Sequence, residues 1–247
     1  MSQSTETTEA NPFTKPGFII AAALVVALIA AAVVIFLIPK GQGNAQPAPA
    51  DSSSATASSP SASAAPDKSV CGLPASTETA LGKAPATKWE LVGRTAAPND
   101  PEAFGPGIKN ANGFRSCFSH SPTGALYAAA NMVALGGLSD EEIQKELIEK
   151  LVVPGPGRDA ALKDIRTPSS ADSSSIQIRG FVIKAYSTTT AHVDLAFSTP
   201  TGEYGHGVLP LKWIEGDWKV EISDAGELLN EVSQISDLGG FIPWSGA

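Results

Sequence analysis

Hydrophobic residues divide the chain into three regions. The first is an uninterrupted apolar run of 22 residues, Gly17 to Ile38, which contains no charge and no amide. As a helix this run would be about 33 Å long, enough to cross a hydrocarbon core of about 30 Å. Pro16 and Pro39 flank it. The pattern predicts a transmembrane helix over residues 17–38 that contacts the lipid bilayer.

A cleaved signal peptide is the alternative interpretation of this run. A site of small residues is present at Gly43-Asn44-Ala45. However, the run is longer than the roughly 7 to 15 residues of an ordinary signal-peptide core, and residues 1–16 carry one Lys against two Glu. We therefore expect an uncleaved signal anchor, with cleavage as the open alternative.

Small residues recur every fourth position inside the run, at Ala23, Ala27 and Ala31. Such a stripe lets two membrane helices approach closely, so it is a candidate packing face for a homo-oligomer. The alternative is that an Ala-rich span produces this spacing by chance.

The second region, residues 39–70, is rich in Ala, Ser and Pro and contains almost no bulky apolar residue. A segment of this composition cannot bury a core, so we expect a disordered linker. About thirty residues in polyproline conformation would span up to about 90 Å. Residues 1–16 are also polar, and we expect them to be a disordered tail.

The third region, residues 71–247, begins with helical patterns. Ser121-Pro122 precedes an Ala-rich apolar stretch, which predicts a buried helix that ends near Leu135. A second helix is predicted from Ser139, which forms a capping box with Glu142. The apolar face of that helix consists of Ile143, Leu147 and Leu151. Residues 158–166 predict a short third helix.

Strand patterns lie on both sides of these helices. Residues 88–92 predict a short strand, and residues 96–112 predict a long loop. After Asp172 the hydrophobic period changes to two, which predicts strands over residues 176–186, 192–197, 204–214 and 218–222. Trp213 and Trp218 would pair across a hairpin. Leu228, Leu229, Val232 and Ile235 have helical spacing, which predicts a C-terminal helix.

Helices followed by an antiparallel meander predict an α+β fold. The order of elements and the hairpin Leu211-Lys212-Trp213-Ile214-Glu215-Gly216-Asp217-Trp218-Lys219-Val220 resemble the nuclear-transport-factor-2-like superfamily over residues 115–225. This resemblance implies helices packed on a curved antiparallel sheet that forms a cone.

The overall layout also resembles actinobacterial single-pass membrane proteins, some of them encoded beside conjugation machinery. Its plan is similar to that of inner-membrane scaffold subunits of type IV secretion systems. The resemblance implies a scaffold whose partners are other envelope proteins, with a homo-oligomer as a further expectation.

Charge and cysteines bear on location and partners. Residues 71–247 carry 14 Lys and Arg against 21 Asp and Glu, a net charge of −7, so we expect no direct nucleic-acid contact. Both cysteines, Cys71 and Cys117, lie after the apolar run, which suits an oxidising exterior and a cytoplasmic N-terminus. We expect them to form a disulfide, with two free thiols as the alternative.

No familiar catalytic or metal-binding motif is present, and the three histidines are scattered. In enzymes of the resembled superfamily, an acid or base and a Tyr lie in the mouth of the cone. The candidates here are His192, Asp194, Tyr127, Tyr186 and Tyr204. His192 and Asp194 alternate with Val193, Leu195 and Phe197, so we expect the polar pair on the solvated face. His120 and His206 are expected to be turn or bulge residues. The sequence therefore predicts no enzyme, no cofactor and no metal.

The C-terminal residues Phe241, Ile242 and Trp244 are unusually apolar. They either dock on the domain or contact a partner. Three functions are then open. The first is a membrane-anchored extracytoplasmic scaffold, for example a component of a conjugation or secretion apparatus. The others are a tethered module that binds a small apolar ligand such as a lipid, and a cone-type isomerase or hydrolase. We favour the scaffold and expect a single-pass protein of the cell membrane with its C-terminal domain outside.

Overall fold

The computed structural model describes residues 68–165 and 176–246. Within them three helices pack on a mostly antiparallel sheet, so the predicted α+β class is confirmed. The helices are α1 (Pro122–Gly136), α2 (Glu141–Leu151) and α3 (Pro156–Lys163). The strands are β1 (Lys88–Val92), β2 (Thr95–Asn99), β3 (Ile108–Lys109), β4 (Arg115–Ser116), β5 (Gln177–Tyr186), β6 (Thr190–Ser198), β7 (Tyr204–Ile214), β8 (Asp217–Val220), β9 (Ser233–Ile235) and β10 (Ile242–Pro243).

The main sheet has the strand order β10-β5-β6-β7-β8, and β9 pairs with the beginning of β7. β5 to β8 form the predicted meander, and Trp213 is directly opposite Trp218 with ring centroids 5.3 Å apart. Val193 and Leu195 belong to the core, which lies between this sheet and α1. Two further hairpins, β1–β2 and β3–β4, complete the fold.

Helix α1 forms at the predicted place. Ser121 is its N-cap, and the Ser121 hydroxyl accepts a hydrogen bond from the backbone N–H of Gly124 at 2.9 Å. Nearly all of its residues are buried, because Ala side chains allow close packing on every side. Asn131 is also buried, and its amide donates to the carbonyl oxygens of Pro98 and Tyr127, which fixes α1 against β2.

The predicted capping box of the second helix is wrong by one residue. Asp140, not Ser139, is the N-cap, and its carboxylate accepts a hydrogen bond from the N–H of Ile143 at 3.0 Å. A carboxylate is favoured there because it also meets the positive end of the helix dipole. Ile143 and Leu151 are buried, as the apolar face predicted. The third helix begins at Pro156 rather than Arg158.

The predicted loop over residues 96–112 contains strands. Residues 95–99 form β2, which follows β1 after the two-residue turn Gly93-Arg94. Gly93 adopts a φ of 59°, which a hairpin turn of this length requires. The segment was difficult to predict because Thr-Ala-Ala-Pro-Asn has no alternation and contains a proline, which is rare in paired strands.

The predicted C-terminal helix around Leu228 and Val232 is also wrong. This segment is irregular and ends in β9. Gly226 has a φ of 83°, and a Cβ at this position would lie 2.8 Å from the backbone nitrogen of Ala161. The chain turns sharply at this glycine, and Leu228 then forms a β-bridge with Ile222 instead of continuing a helix.

The disulfide between Cys71 and Cys117 is confirmed, with a sequence separation of 46 residues. It attaches the beginning of the domain to the strand region before α1. The neighbouring backbone is attached as well, since Val70 donates a hydrogen bond to the carbonyl of Gly216 at 2.8 Å. The entry segment is therefore held at two points.

The predicted membrane helix over residues 17–38, its stripe Ala23, Ala27 and Ala31, and the linker as far as residue 67 lie outside the described residues. Among the described residues, no helix is both long and apolar enough to cross a membrane.

Candidate functional site

An apolar cleft lies between the helices and the sheet. It has a volume of about 460 Å³. Among the described residues that line it, none is charged, and Asn230 is the one polar side chain. The lining residues are Met132, Val133, Gly136, Leu147, Ile176, Leu195, Phe197, Gly207, Val208, Leu209, Val220, Leu228, Asn230 and Val232.

Two glycines on facing elements leave this space open. Gly136 ends α1, and a Cβ added to it would meet no atom within 4 Å. Gly207 lies on β7, and its added Cβ would be 3.4 Å from Val232. The strand alternation of β6 directs Leu195 and Phe197 toward the same space. Glycines of α1 and β7 and apolar side chains of β6 therefore line the cleft together.

The rim of the cleft is unusually apolar. Leu228 and Val232 line it on the irregular segment before β9 and are 61% and 60% exposed. Exposed apolar side chains that surround a cavity are typical of a binding site. Asn230 fixes this segment to the sheet, because its amide donates to the Val208 carbonyl at 3.1 Å.

A second chamber of about 540 Å³ lies beside the cleft. It is formed by α2, α3, the end of β8 and residues 222–228. Its lining is more polar, since Gln144, Asp164 and Glu227 contribute to it. Three residues line both spaces, namely Leu147, Val220 and Leu228. We call the two spaces the apolar cleft and the second chamber.

Asp194 has a different environment from the one predicted. It lies on the sheet face opposite the core residues Val193 and Leu195, as expected, but it is completely buried rather than solvated. Lys184 Nζ is 3.1 Å from its Oδ2, and His206 Nδ1 is 2.9 Å from its Oδ1. The buried carboxylate is thus compensated by groups from the two neighbouring strands, β5 and β7, which the sequence of β6 alone could not reveal.

The tyrosines do not converge with Asp194 around the apolar cleft. Tyr127 is buried near the C-terminal segment, and its hydroxyl donates to Thr87 at 3.1 Å. Burial raises the pKa of Tyr127. Burial also raises the pKa of Tyr186, to about 12. Tyr204 is half-buried and pairs with Ile235 of β9. None of these side chains is among the described residues that line the cleft.

The remaining histidines have separate surroundings. His192 is exposed on the outer face of β6. His120 is buried, and its ring stacks on Trp213 with centroids 4.0 Å apart. Neither residue is in the described lining of the cleft. In the part of the chain that the structure describes, no group of three potential ligands could hold a metal ion.

The C-terminal segment docks on its own domain. Trp244 is buried between Trp89 and Phe181, with ring centroids 4.6 and 5.6 Å away. Its indole nitrogen donates to Thr87 at 2.8 Å. Phe241 and Ile242 are half-buried, and Ile242 pairs with Phe181 of β5. A partner contact through Phe241 and Ile242 stays a prediction.

Comparison with protein families identifies the family to which the chain belongs. The family described as a domain of unknown function, DUF8175, matches residues 51–243. The chain belongs to this family. The DUF8175 match contains both cysteines and every residue that lines the cleft and the second chamber. No curated protein and no solved structure matches the chain.

Proposed function

We propose that this domain is a non-catalytic binding module that holds the aliphatic chain of an amphiphile, such as a lipid, in the apolar cleft. The single observation that carries the proposal is the uncharged lining of a cleft of about 460 Å³. Ligand pockets are commonly between about 300 and 1,000 Å³ and are lined mainly by apolar side chains, with a few polar groups. The sequence alternative of a tethered module for an apolar ligand thus gains the strongest physical support.

The driving force for such a ligand would be removal of apolar surface from water. Each methylene transferred from water into the cleft contributes about 0.8 kcal/mol. Leu195, Phe197 and Leu209 provide a hydrocarbon wall, and Asn230 is the one polar side chain among the described lining residues. A chain without polar groups would suit this wall, because a buried polar group without a partner is costly.

A non-catalytic role agrees with the position of the ionisable side chains. A general base must face the substrate to take its proton. Asp194 and His206 lie on the outer sheet face, whereas the described lining of the cleft carries no ionisable group. An isomerase or hydrolase reaction in the cleft would therefore require an acid or base from elsewhere.

We further propose that the domain is held outside the cell membrane by residues 17–38 and by the linker, with the N-terminus in the cytoplasm. The apolar run, the cysteine disulfide and the acidic domain support this arrangement. A cone of the nuclear-transport-factor-2-like kind is the corresponding proposal for the fold. Protease treatment of intact cells should digest the C-terminal domain, and complete protection would contradict the orientation.

Photocrosslinking tests the binding proposal. The full-length protein is reconstituted in vesicles and irradiated with a monoacylglycerol that carries a photoreactive group in its chain. Saturable labelling is expected, with the modified peptides containing Leu195, Phe197 or Leu209. The variant Gly136→Leu should reduce this labelling, because Gly136 lines the cleft and an added Cβ there would meet no atom within 4 Å. Labelling that is absent, or equal in both proteins, would reject the proposal.

A scaffold function, in a conjugation or secretion apparatus, is the second candidate. The observation that favours it is the exposed patch of Leu228, Leu229 and Val232, which a partner protein could cover. Crosslinking in native membranes through a photoreactive residue at position 229 should then capture another envelope protein or a second copy. Capture that persists when the cleft is filled by Gly136→Leu would favour the scaffold over the ligand module.

A further inference from the structure

The apolar cleft and the second chamber share three lining residues, Leu147, Val220 and Leu228, which we call the partition. Two of them are held in regular structure. Val220 is a buried core residue of β8, and Leu147 lies on α2 and packs against the core. Their positions are therefore set by the fold.

Leu228 differs from the other two. It is 61% exposed and belongs to the irregular segment between β8 and β9. Its backbone is attached to Ile222 through a single isolated β-bridge. A rotation of this side chain would need no change in the core, because most of its surface already faces solvent. Leu228 is thus the one movable part of the partition.

The two spaces also differ in polarity. The described lining of the apolar cleft contains no ionisable residue, whereas Gln144, Asp164 and Glu227 line the second chamber. Gln144 is buried, and its amide donates to the carbonyl oxygens of Leu135 and Leu138. An aliphatic chain is therefore better accommodated in the apolar cleft than in the second chamber.

We infer that Leu228 determines the chain length of the ligand, with the aliphatic tail in the apolar cleft and its methyl end toward the second chamber. This inference rests on the proposed ligand-binding function. A chain that fills the cleft ends against Leu228, and a longer chain requires this side chain to move. A smaller residue at position 228 joins the two spaces, and a larger residue shortens the first.

Competition photocrosslinking with the full-length protein in vesicles tests the inference. The labelled monoacylglycerol is competed with unlabelled monoacylglycerols whose chains range from about 8 to 18 carbons, since each methylene changes affinity about fourfold. Leu228→Ala should shift the best competitor to chains longer by about two to four methylenes. Leu228→Phe should shift it to shorter chains.

Leu229→Ala is the matched control. Leu229 is the adjacent leucine, it is 49% exposed, and it does not appear in the described lining of either space. All proteins are compared in vesicles of one composition, so partition of the competitors into the bilayer cancels between variants. The control should keep the wild-type length profile.

The outcomes distinguish the role of Leu228 from ligand binding by the cleft. Opposite shifts for Leu228→Ala and Leu228→Phe, with none for Leu229→Ala, support the inference. Saturable binding with the same length profile in all four proteins overturns the role of Leu228 and leaves the proposed function standing. Absence of saturable labelling in the wild-type protein overturns both. Thermal unfolding of each variant confirms that a shifted profile belongs to folded protein.

Discussion

Oδ2 of Asp217 lies 2.7 Å from the backbone nitrogen of Cys117, which donates a hydrogen bond to it across 100 residues of sequence. Oδ1 of the same carboxylate accepts from the backbone N–H groups of Phe118 and Trp218 at 2.9 Å each. The buried side chain thus attaches the beginning of β8 to the disulfide. Burial raises the pKa of Asp217 to about 6, although these backbone donors oppose the increase.

The variant Asp217→Asn should reduce the free energy of unfolding by about 1 to 3 kcal/mol at neutral pH. The amide has one acceptor oxygen, so its NH2 group must face either the Cys117 N–H or the Phe118 N–H. Urea unfolding followed by tryptophan fluorescence measures the effect. An unchanged midpoint would contradict the proposed connection between β8 and the disulfide.

The stability of the wild type and that of Asp217→Asn should depend differently on pH. Because the pKa of Asp217 is higher in the folded chain than its ordinary value of 3.8, the folded chain binds this proton more readily. Its contribution to stability is complete below about pH 4 and is lost as the pH rises through 6. The stability difference between wild type and Asp217→Asn should therefore widen by up to about 3 kcal/mol between pH 7 and pH 4. A difference that narrows on acidification would contradict the sign.

Removal of the disulfide should destabilise the domain. The bond closes a loop of 46 residues. In the chain-entropy model a loop of this length contributes roughly 4 kcal/mol, which the double variant Cys71→Ser, Cys117→Ser should lose. Unfolding of the wild type after reduction provides the control and should match the variant. Full alkylation of both cysteines without prior reduction would show that the bond does not form.

Gly136→Leu should fill the apolar cleft without a stability cost. The Gly136 Cβ position is open, and replacing a helical glycine by leucine favours the helix by up to about 1 kcal/mol. Gly82→Leu is a suitable control, because position 82 is equally open and Gly82 is absent from the described lining of the cleft. The melting temperature of each variant is compared with its labelling. A marked loss of stability in Gly136→Leu would mean that the cleft is not open space.

Trp244→Ala should reduce the free energy of unfolding by about 3 to 5 kcal/mol, because it removes a buried indole from contact with Trp89 and Phe181. Trp244→Phe keeps an aromatic ring and loses the hydrogen bond to Thr87, so it should cost only about 1 kcal/mol. If Trp244 instead served a partner, both variants would unfold like the wild type and lose crosslinks.

Tyr186→Phe should leave the domain as stable as the wild type or more stable by about 1 kcal/mol. Among the described residues, the buried Tyr186 hydroxyl has no hydrogen-bond partner, so its removal abolishes a desolvation cost. The raised pKa, about 12, means that stability from the neutral phenol is present below pH 10 and lost as the pH rises through 12. The variant should lack this alkaline loss, which ultraviolet absorbance and fluorescence can follow together.

Much of the fold was predictable from local sequence. The alternating residues of β6 and β7, the Ser-Pro beginning of α1 and the Trp213–Trp218 hairpin all satisfy short-range rules, and the structure agrees with them. The helix predicted from the spacing of residues 228–235 was wrong, because spacing contains no information about the turn at Gly226. A Cβ at Gly226 would lie 2.8 Å from the backbone nitrogen of Ala161 in α3. Tertiary contact decided the conformation there.

The candidate site was less predictable than the fold. The sequence positions of Gly136 and Gly207 do not reveal that both glycines line one space. The burial of Asp194 likewise depends on Lys184 and His206, which come from other strands. A cavity and a compensated charge depend on several elements together, so the sequence of a single strand or helix does not predict them.

The location of Trp244 has a consequence for the order in which the domain is completed. Among the described elements, β10 is made last, yet it is the edge partner of β5, and the next residue, Trp244, supplies the indole that lies between Trp89 and Phe181. During synthesis from N- to C-terminus, both cysteines and every other described strand are made before this segment. Until Trp244 is made, Phe181 and Trp89 lack the indole that packs against them. A nascent chain stalled near residue 235 should therefore expose an apolar surface to chaperones and proteases.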